Sequence, residues 1–257
     1  MYDLAHEMRS RIITSPAFTG EKILGAILFE DTMDREIEGM STGEYLWVNK
    51  RIVPFIKIDK GLEEEENGVQ MMKPMPDSYL AELLSRSKAK GMFGTKMRSV
   101  ISASNHDGIK AVVKQQFALA RKILAAGLIP IVEPEVNVLC SDKAACEIVL
   151  KDCLRKELDR LGKDEMVILK LTLPTEVNTY KDLTAHPKCL RLVALSGGYT
   201  RQEANSILAK QSRMIASFSR ALAEGLSYSQ GEEEFDDALA ASVHSIYEAS
   251  KAGNNAC

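Results

Sequence analysis

The chain has 257 residues, 45% hydrophobic and 27% charged, a balance that gives a globular protein enough core to need no disulfide or structural metal. Its formal net charge of −3 and isoelectric point near 5.9 exclude the global basic field expected of a nucleic-acid or membrane-surface binder. The sequence contains no apolar run of membrane-spanning length and no signal-peptide core, and its five cysteines lack zinc-type or CxxC spacing, so it reads as a cytoplasmic chain with reduced thiols.

The predicted elements begin with a helix over residues 1–16, where Leu4, Met8 and Ile12 recur at helical spacing. Residues 23–29 (ILGAILF) form the first buried strand, and residues 31–51, which hold Trp47, read as loop-rich. A second strand is expected over 52–59 (IVPFIKID), followed by the acidic run Glu63–Glu66, read as a solvated face or helix start. A helix over 76–90 precedes the third strand, 94–102 (GTKMRSVIS). Next comes a helix over 109–125, with Val112, Val113, Phe117, Ala120 and Leu124 at core spacing. Gly127 closes that helix and strand four follows over 128–136 (LIPIVEPEV).

A helix over 142–161 carries Cys146 and Cys153, read as packing positions, and leads into strand five, 166–173 (MVILKLTL). After an irregular connection, residues 191–195 form strand six, running into Ser196-Gly197-Gly198. Thr200 and Glu203 make a capping box for a helix over 200–210. Strand seven is expected over 214–222 (MIASFSRAL) and a last helix over 235–249, with a frayed tail from Lys251 to Cys257.

Seven strands alternate with helices at a spacing of about 32 residues, the scale of a βαβ unit, without a linker or repeat break. One α/β domain over residues 1–257 is expected, a (β/α)8 TIM barrel in preference to a doubly wound open sheet. The first βα turn has no G-x-G-x-x-G fingerprint.

Chemistry in such barrels sits at the C-terminal ends of the strands, and charged residues collect there in this chain. Lys57 and Asp59 end strand two, Lys96 and Arg98 lie on strand three, Glu133 and Glu135 on strand four, Lys170 on strand five and Arg220 on strand seven. Each doublet has period two, which places both side chains on one face. The excess of cations suits an anionic substrate such as a phosphate ester. Ser196, Gly197 and Gly198, with Arg220, occupy the place where these barrels commonly bind phosphate. Lys170 interrupts an apolar strand; desolvation there favours its neutral, nucleophilic amine. The four histidines fall outside the predicted strands, so metal chemistry fits poorly; an organic electrophile, which Lys170 can provide, is expected instead, and no cofactor.

At FIKIDKG, FGTKMRS, IPIVEPEV, VILKLTLP, VALSGG and ASFSRAL the chain resembles the class I, Schiff-base fructose-bisphosphate aldolases, in their shorter-chain branch. The resemblance implies that Lys170 forms an iminium with the substrate ketone and that Glu133 is the general acid/base. It implies that Lys96 and Glu135 support those two residues. Lys57, Lys96 and Arg98 would bind one end of a sugar bisphosphate, and Ser196, Gly197, Gly198 and Arg220 the other phosphate. It also implies a homo-oligomer. Family members begin with a strand that carries a catalytic aspartate, and the resemblance starts inside the first helix. The expectation is therefore an N-terminally truncated barrel, missing strand one of eight, that forms the Schiff base but cleaves fructose 1,6-bisphosphate poorly. Two alternatives stand beside it: a Schiff-base aldolase acting on another sugar phosphate, and an impaired aldolase that serves as a binding or scaffold protein.

Overall fold

The computed structural model describes residues 2–255. Seven parallel strands follow one another in sequence order across one sheet: β1 (Gly25–Leu28), β2 (Val53–Lys57), β3 (Gly94–Ile101), β4 (Ile129–Val136), β5 (Val167–Thr172), β6 (Cys189–Leu195) and β7 (Met214–Ala216). A two-residue strand, Val69–Gln70, adds antiparallel to the end of β3. The sheet curls into a TIM-barrel-like wall that does not close: among the described residues β1 and β7 are its edges and do not pair with each other.

The principal helices are α1 (Tyr2–Thr14), α2 (Asp77–Ala89), α3 (His106–Ala125), α4 (Lys143–Leu158), α5 (Arg201–Leu208) and α6 (Glu232–Asn255). Strand side chains alternate between two apolar layers. One layer lies between sheet and helices, where Met97, Val132, Leu169 and Leu171 meet Val112, Val113, Phe117 and Leu150. The other fills the barrel floor, with Phe55, Ile131, Ile168 and Val193 packed against Ile27, Val53, Ile129 and Ile215. Gly94 lies in this floor layer because a Cβ there would come within 2.0 Å of the Ile129 carbonyl oxygen.

The helical layer bridges the side on which the sheet is open. Arg11 of α1 donates to the carbonyls of Gln230 (2.8 Å) and Gly231 (2.7 Å), and its guanidinium lies 4.0 Å from the Phe235 ring of α6. Met8 and Ile12 join Phe235, Leu239 and Val243 in an apolar cluster. Lys50 donates to the carbonyls of Thr14 and Ser15, which satisfies the end of α1.

Several boundaries differ from the expectations. Residues 31–51 are not loop but two short helices (Glu30–Asp34, Thr42–Tyr45), a hairpin and a π-helical turn, Leu46–Lys50, in which Trp47 is exposed. Strand seven ends at Ala216, and Arg220 opens a four-residue helix, Arg220–Ala223. The helical turn buries Ala221 and packs Leu222 against α6, contacts that an extended segment would not make. The last helix continues through 251–255 instead of fraying there, with Gly253 packed on the Gln211 carbonyl; Cys257 lies outside the described residues. Glu63–Glu66 form the exposed arm of a small hairpin, the solvated face expected of them. Among the described residues no helix is long and apolar enough to cross a membrane.

Candidate active site

Directly above the apolar floor, the same inward positions turn polar. Phe55 is followed two residues on by Lys57, Gly94 by Lys96 and Arg98, Ile131 by Glu133 and Glu135, and Ile168 by Lys170. Strand register pairs Lys57 with Lys96 and, two residues further along β3, Arg98 with Glu133. Within the paired sheet β4 and β5 splay toward the mouth, their backbones pairing only at Ile131↔Ile168 and Val132↔Leu169. Above that point Thr172 ties the two strands through its side chain, donating to the Val136 carbonyl (2.8 Å) and accepting from the Val136 N–H (2.9 Å).

In this splayed region Glu133 is shared by two lysines. Its Oε1 lies 3.3 Å from Lys170 Nζ and its Oε2 3.0 Å from Lys96 Nζ, with all three side chains at least nine-tenths buried. Oε2 is misaligned for a hydrogen bond to Lys96, so it retains lone pairs that no protein donor takes. Asp59 bridges in the same way, 2.7 Å from Lys57 Nζ through Oδ1 and 3.5 Å from Lys96 Nζ through Oδ2. Glu135 is ion-paired with Arg98. The result is a connected array of alternating charges, Arg98–Glu135 beside Lys57–Asp59–Lys96–Glu133–Lys170.

Burial pushes the Lys170 ammonium below its ordinary range; Glu133 and Glu135 oppose that shift and Lys96 adds to it. For Arg98 burial also works against the charge, but the Glu135 hydrogen bond and the Glu135, Glu133 and Asp59 carboxylates outweigh it and hold the guanidinium above its usual range. The array therefore holds one amine biased toward neutrality and one guanidinium held in its charged form.

The remaining predicted residues stand around this array. Ser196 is buried at the end of β6, and Gly197 and Gly198 follow it in a turn with φ of +63° and +114°. The ideal Cβ position at Gly197 lies 3.5 Å from Thr172 Cγ2 and only 2.8 Å from Val138 Cγ1, so this turn packs against the β5 exit and the β4–α4 turn with no room for a side chain. Arg220 is exposed on its short helix and makes no ion pair or hydrogen bond to another described residue; the structure does not join it to the array by contact. Among the described residues no group of three or more His, Cys, Asp or Glu is placed to hold a metal ion.

Three supports escaped the sequence reading. Asp59 was counted among the charged strand ends without a role. Gln116 is fully buried on α3, donating to Ser99 Oγ (3.0 Å) and accepting from the Glu133 backbone N–H (2.8 Å), so it braces the strand at Glu133. The available signal was a lone amide at core spacing between Val113 and Phe117. Arg9 reaches across the β1 exit to Thr32 Oγ1 (3.0 Å) and over the Phe29 ring (4.3 Å), with Lys57 Nζ 5.9 Å from the same ring. Sequence alone gave no reason to bring a first-helix arginine to the mouth.

A parallel barrel wall with buried, ion-paired lysines and carboxylates at the C-terminal ends of its strands defines an α/β TIM-barrel-like protein with a polar site at its mouth. The family model of the glycolytic class-I fructose-bisphosphate aldolases matches residues 4–180, and the chain belongs to that family. The matched region holds Lys57, Lys96, Arg98, Glu133, Glu135 and Lys170, and ends before Ser196 and Arg220. Among solved structures, fructose-bisphosphate aldolase from Plasmodium falciparum superposes with a TM-score of 0.78 at 20% identity, over 96% of this chain and 82% of that one. Cgl0159 from Corynebacterium glutamicum gives a TM-score of 0.59 at 13% identity, over 95% of this chain and 75% of that one. At these identities both likenesses concern the fold.

Proposed function

We propose that the chain cleaves fructose 1,6-bisphosphate to dihydroxyacetone phosphate and glyceraldehyde 3-phosphate through a Schiff base on Lys170. The observation that carries this reading is the Lys170–Glu133–Lys96 arrangement: a buried amine shifted toward neutrality, touching a carboxylate that a second ammonium keeps in place. The Lys170 Nζ lone pair attacks the ketone carbon, and the carbonyl oxygen takes a proton to give a carbinolamine. Glu133, 3.3 Å from Nζ, is positioned to take the proton from nitrogen and return it to the departing hydroxyl, so that water leaves and an iminium forms. The iminium accepts the electron pair of the adjacent carbon–carbon bond as it breaks and the substrate hydroxyl loses its proton. The aldehyde leaves and an enamine remains, which is protonated on carbon and hydrolysed to free Lys170.

Lys57 and Arg98, with Arg9 nearby on Phe29, form the cationic side of the mouth and would hold one phosphate. The Ser196-Gly197-Gly198 turn and Arg220 would hold the other, the turn through backbone N–H groups and Arg220 through its planar fork. Glu135 and Asp59 keep Arg98, Lys57 and Lys96 oriented. Arg220, unengaged among the described residues, favours a substrate that itself brings an anion to that side.

The test is borohydride trapping with dihydroxyacetone phosphate. Reduction should fix the substrate carbon on Lys170 alone, and a Lys170→Met protein should take up none. A folded protein that remains unlabelled, or one labelled at a different lysine, would refute the mechanism. A turnover panel of mono- and bisphosphorylated ketoses then tests the substrate: loss of the preference for the bisphosphate on replacing Arg220 supports the two-ended reading.

A further inference from the structure

The turn between β4 and α4, residues 137–142, touches both sides of the mouth and carries a pair of thiols that the site does not use. Cys140 Sγ lies 3.6 Å from Cys146 Sγ. Cys140 is half-buried in the turn, whereas Cys146 is fully buried in the second turn of α4. Val138, two residues before Cys140, packs against Gly197 and Gly198. Lys143, between the two cysteines, donates to the Leu173 carbonyl (2.7 Å) and Thr175 Oγ1 (3.2 Å), immediately beyond the strand that bears Lys170. A displacement of Cys140 toward α4 therefore moves a segment that abuts the Gly197-Gly198 turn and is anchored, through Lys143, to the exit of β5.

We propose that Cys140 and Cys146 are a peroxide-oxidised dithiol site, closing an intrachain disulfide that shifts the 137–142 turn and slows chemistry at Lys170. A disulfide sets its sulfurs about 2.05 Å apart, so closure draws the turn inward by roughly 1.5 Å. The Cys140 thiolate, the more accessible of the two, attacks one peroxide oxygen; the O–O bond breaks, the other oxygen leaves as hydroxide and is protonated, and Cys140 becomes a sulfenic acid. Cys146 then attacks that sulfur, giving up its proton as the sulfenic hydroxyl leaves as water. In sum, two thiols lose two electrons and two protons, and one hydrogen peroxide becomes two waters. Burial, reinforced by Cys140, pushes the Cys146 thiol up to about 12, which leaves first contact with peroxide to Cys140. Cys153 and Cys189 are buried and have no sulfur neighbour among the described residues, so they serve as internal controls.

The disulfide is a claim about this fold alone, and its effect on turnover rests on the function proposed above. The test treats the full reduced chain with hydrogen peroxide and reads it three ways: non-reducing peptide mapping, hydrogen exchange, and the rate of borohydride trapping of dihydroxyacetone phosphate. The expected results are a linked Cys140–Cys146 peptide reversed by dithiothreitol and altered exchange over 137–142 and 196–198. Trapping should slow about tenfold or more, the scale expected of a displacement near 1 Å in an active site. Cys140→Ser and Cys146→Ala proteins should keep their trapping rate under peroxide. Free thiols at both positions, oxidation of Cys140 beyond the sulfenic acid without a link, or a link that changes neither exchange nor trapping would overturn the proposal. If the reduced protein traps nothing, the aldolase reading fails, and the mapping and exchange still decide the dithiol.

Discussion

Replacing Lys143 with methionine isolates what holds the end of strand β5, and so what positions Lys170. The Lys143 side chain is 8% exposed and that of Glu147 1%, with 2.5 Å between their charged atoms. Glu147 also accepts from the Thr175 N–H (2.9 Å), and Lys143 reaches the Leu173 carbonyl, so both charges converge on the first residues after β5. Methionine keeps most of the apolar stem but strands a buried carboxylate with one remaining donor. Breaking a buried pair in this way costs about 3–5 kcal/mol, a large part of the roughly 5–15 kcal/mol that stabilises a typical domain. For a chain of this size that corresponds to a fall in melting temperature of about 10 °C. Glu147→Gln keeps an acceptor for Thr175 and removes the charge, and should cost less, about 1–3 kcal/mol. The double replacement K143M/E147L removes both charges, so its cost should be smaller than the sum of the single K143M and E147L losses. Urea unfolding of the four proteins (wild type, K143M, E147L and K143M/E147L) gives the coupling energy. A Lys143→Met loss below about 1 kcal/mol, or strict additivity in the double mutant, would refute the view that this pair holds the β5 exit.

Other predictions follow from the mouth. Because the Lys170 amine is held below its ordinary 10.5, chiefly by burial, its neutral fraction grows as pH rises with a midpoint below that value; the trapping rate should follow the same curve. Lys96→Met removes a charge that lowers Lys170, so the midpoint of the pH–rate curve should move up, and a downward or absent shift would contradict the assignment. Asp59→Asn takes the shared carboxylate from Lys57 and Lys96; losing such charged hydrogen bonds, at about 1.5–3 kcal/mol, should reduce kcat/KM by roughly ten- to a hundredfold in steady-state assays. Gly197→Ala puts a Cβ at φ +63° and 2.8 Å from Val138, and is expected to cost about 1–2 kcal/mol by thermal unfolding and to raise KM for the phosphorylated substrate.

How much of this was legible beforehand depended on how local the cause was. The capping box at Thr200 and Glu203 forms as read, with Thr200 Oγ1 accepting from the Glu203 N–H and the Glu203 carboxylate accepting from the Thr200 N–H, because its partners are three residues apart. The core face of α3 was equally clear from its spacing, and Gln116 was its one dissonant member. The end of β7 was misplaced because FSRAL alternates acceptably as a strand, and only the pocket for Ala221 and Leu222 beside α6 favours a helical turn. Cys146 is buried in the core as its spacing predicts, but its neighbour Cys140 is brought back to it by a turn that no periodicity reports.

The sequence by itself determined the order of seven parallel strands, their inward faces, and the polar residues that top them, since a period of two and the switch from apolar to charged are written into each strand. It could not determine which charges share a partner. That Glu133 serves both Lys96 and Lys170, that Asp59 joins Lys57 to Lys96, and that Arg9 arrives at the mouth from the first helix depend on strand register, on the splay between β4 and β5, and on how α1 lies over β1. Those are properties of the closed packing of distant segments, where separations of a few ångströms decide which electrostatic contacts exist, and linear spacing carries no such information.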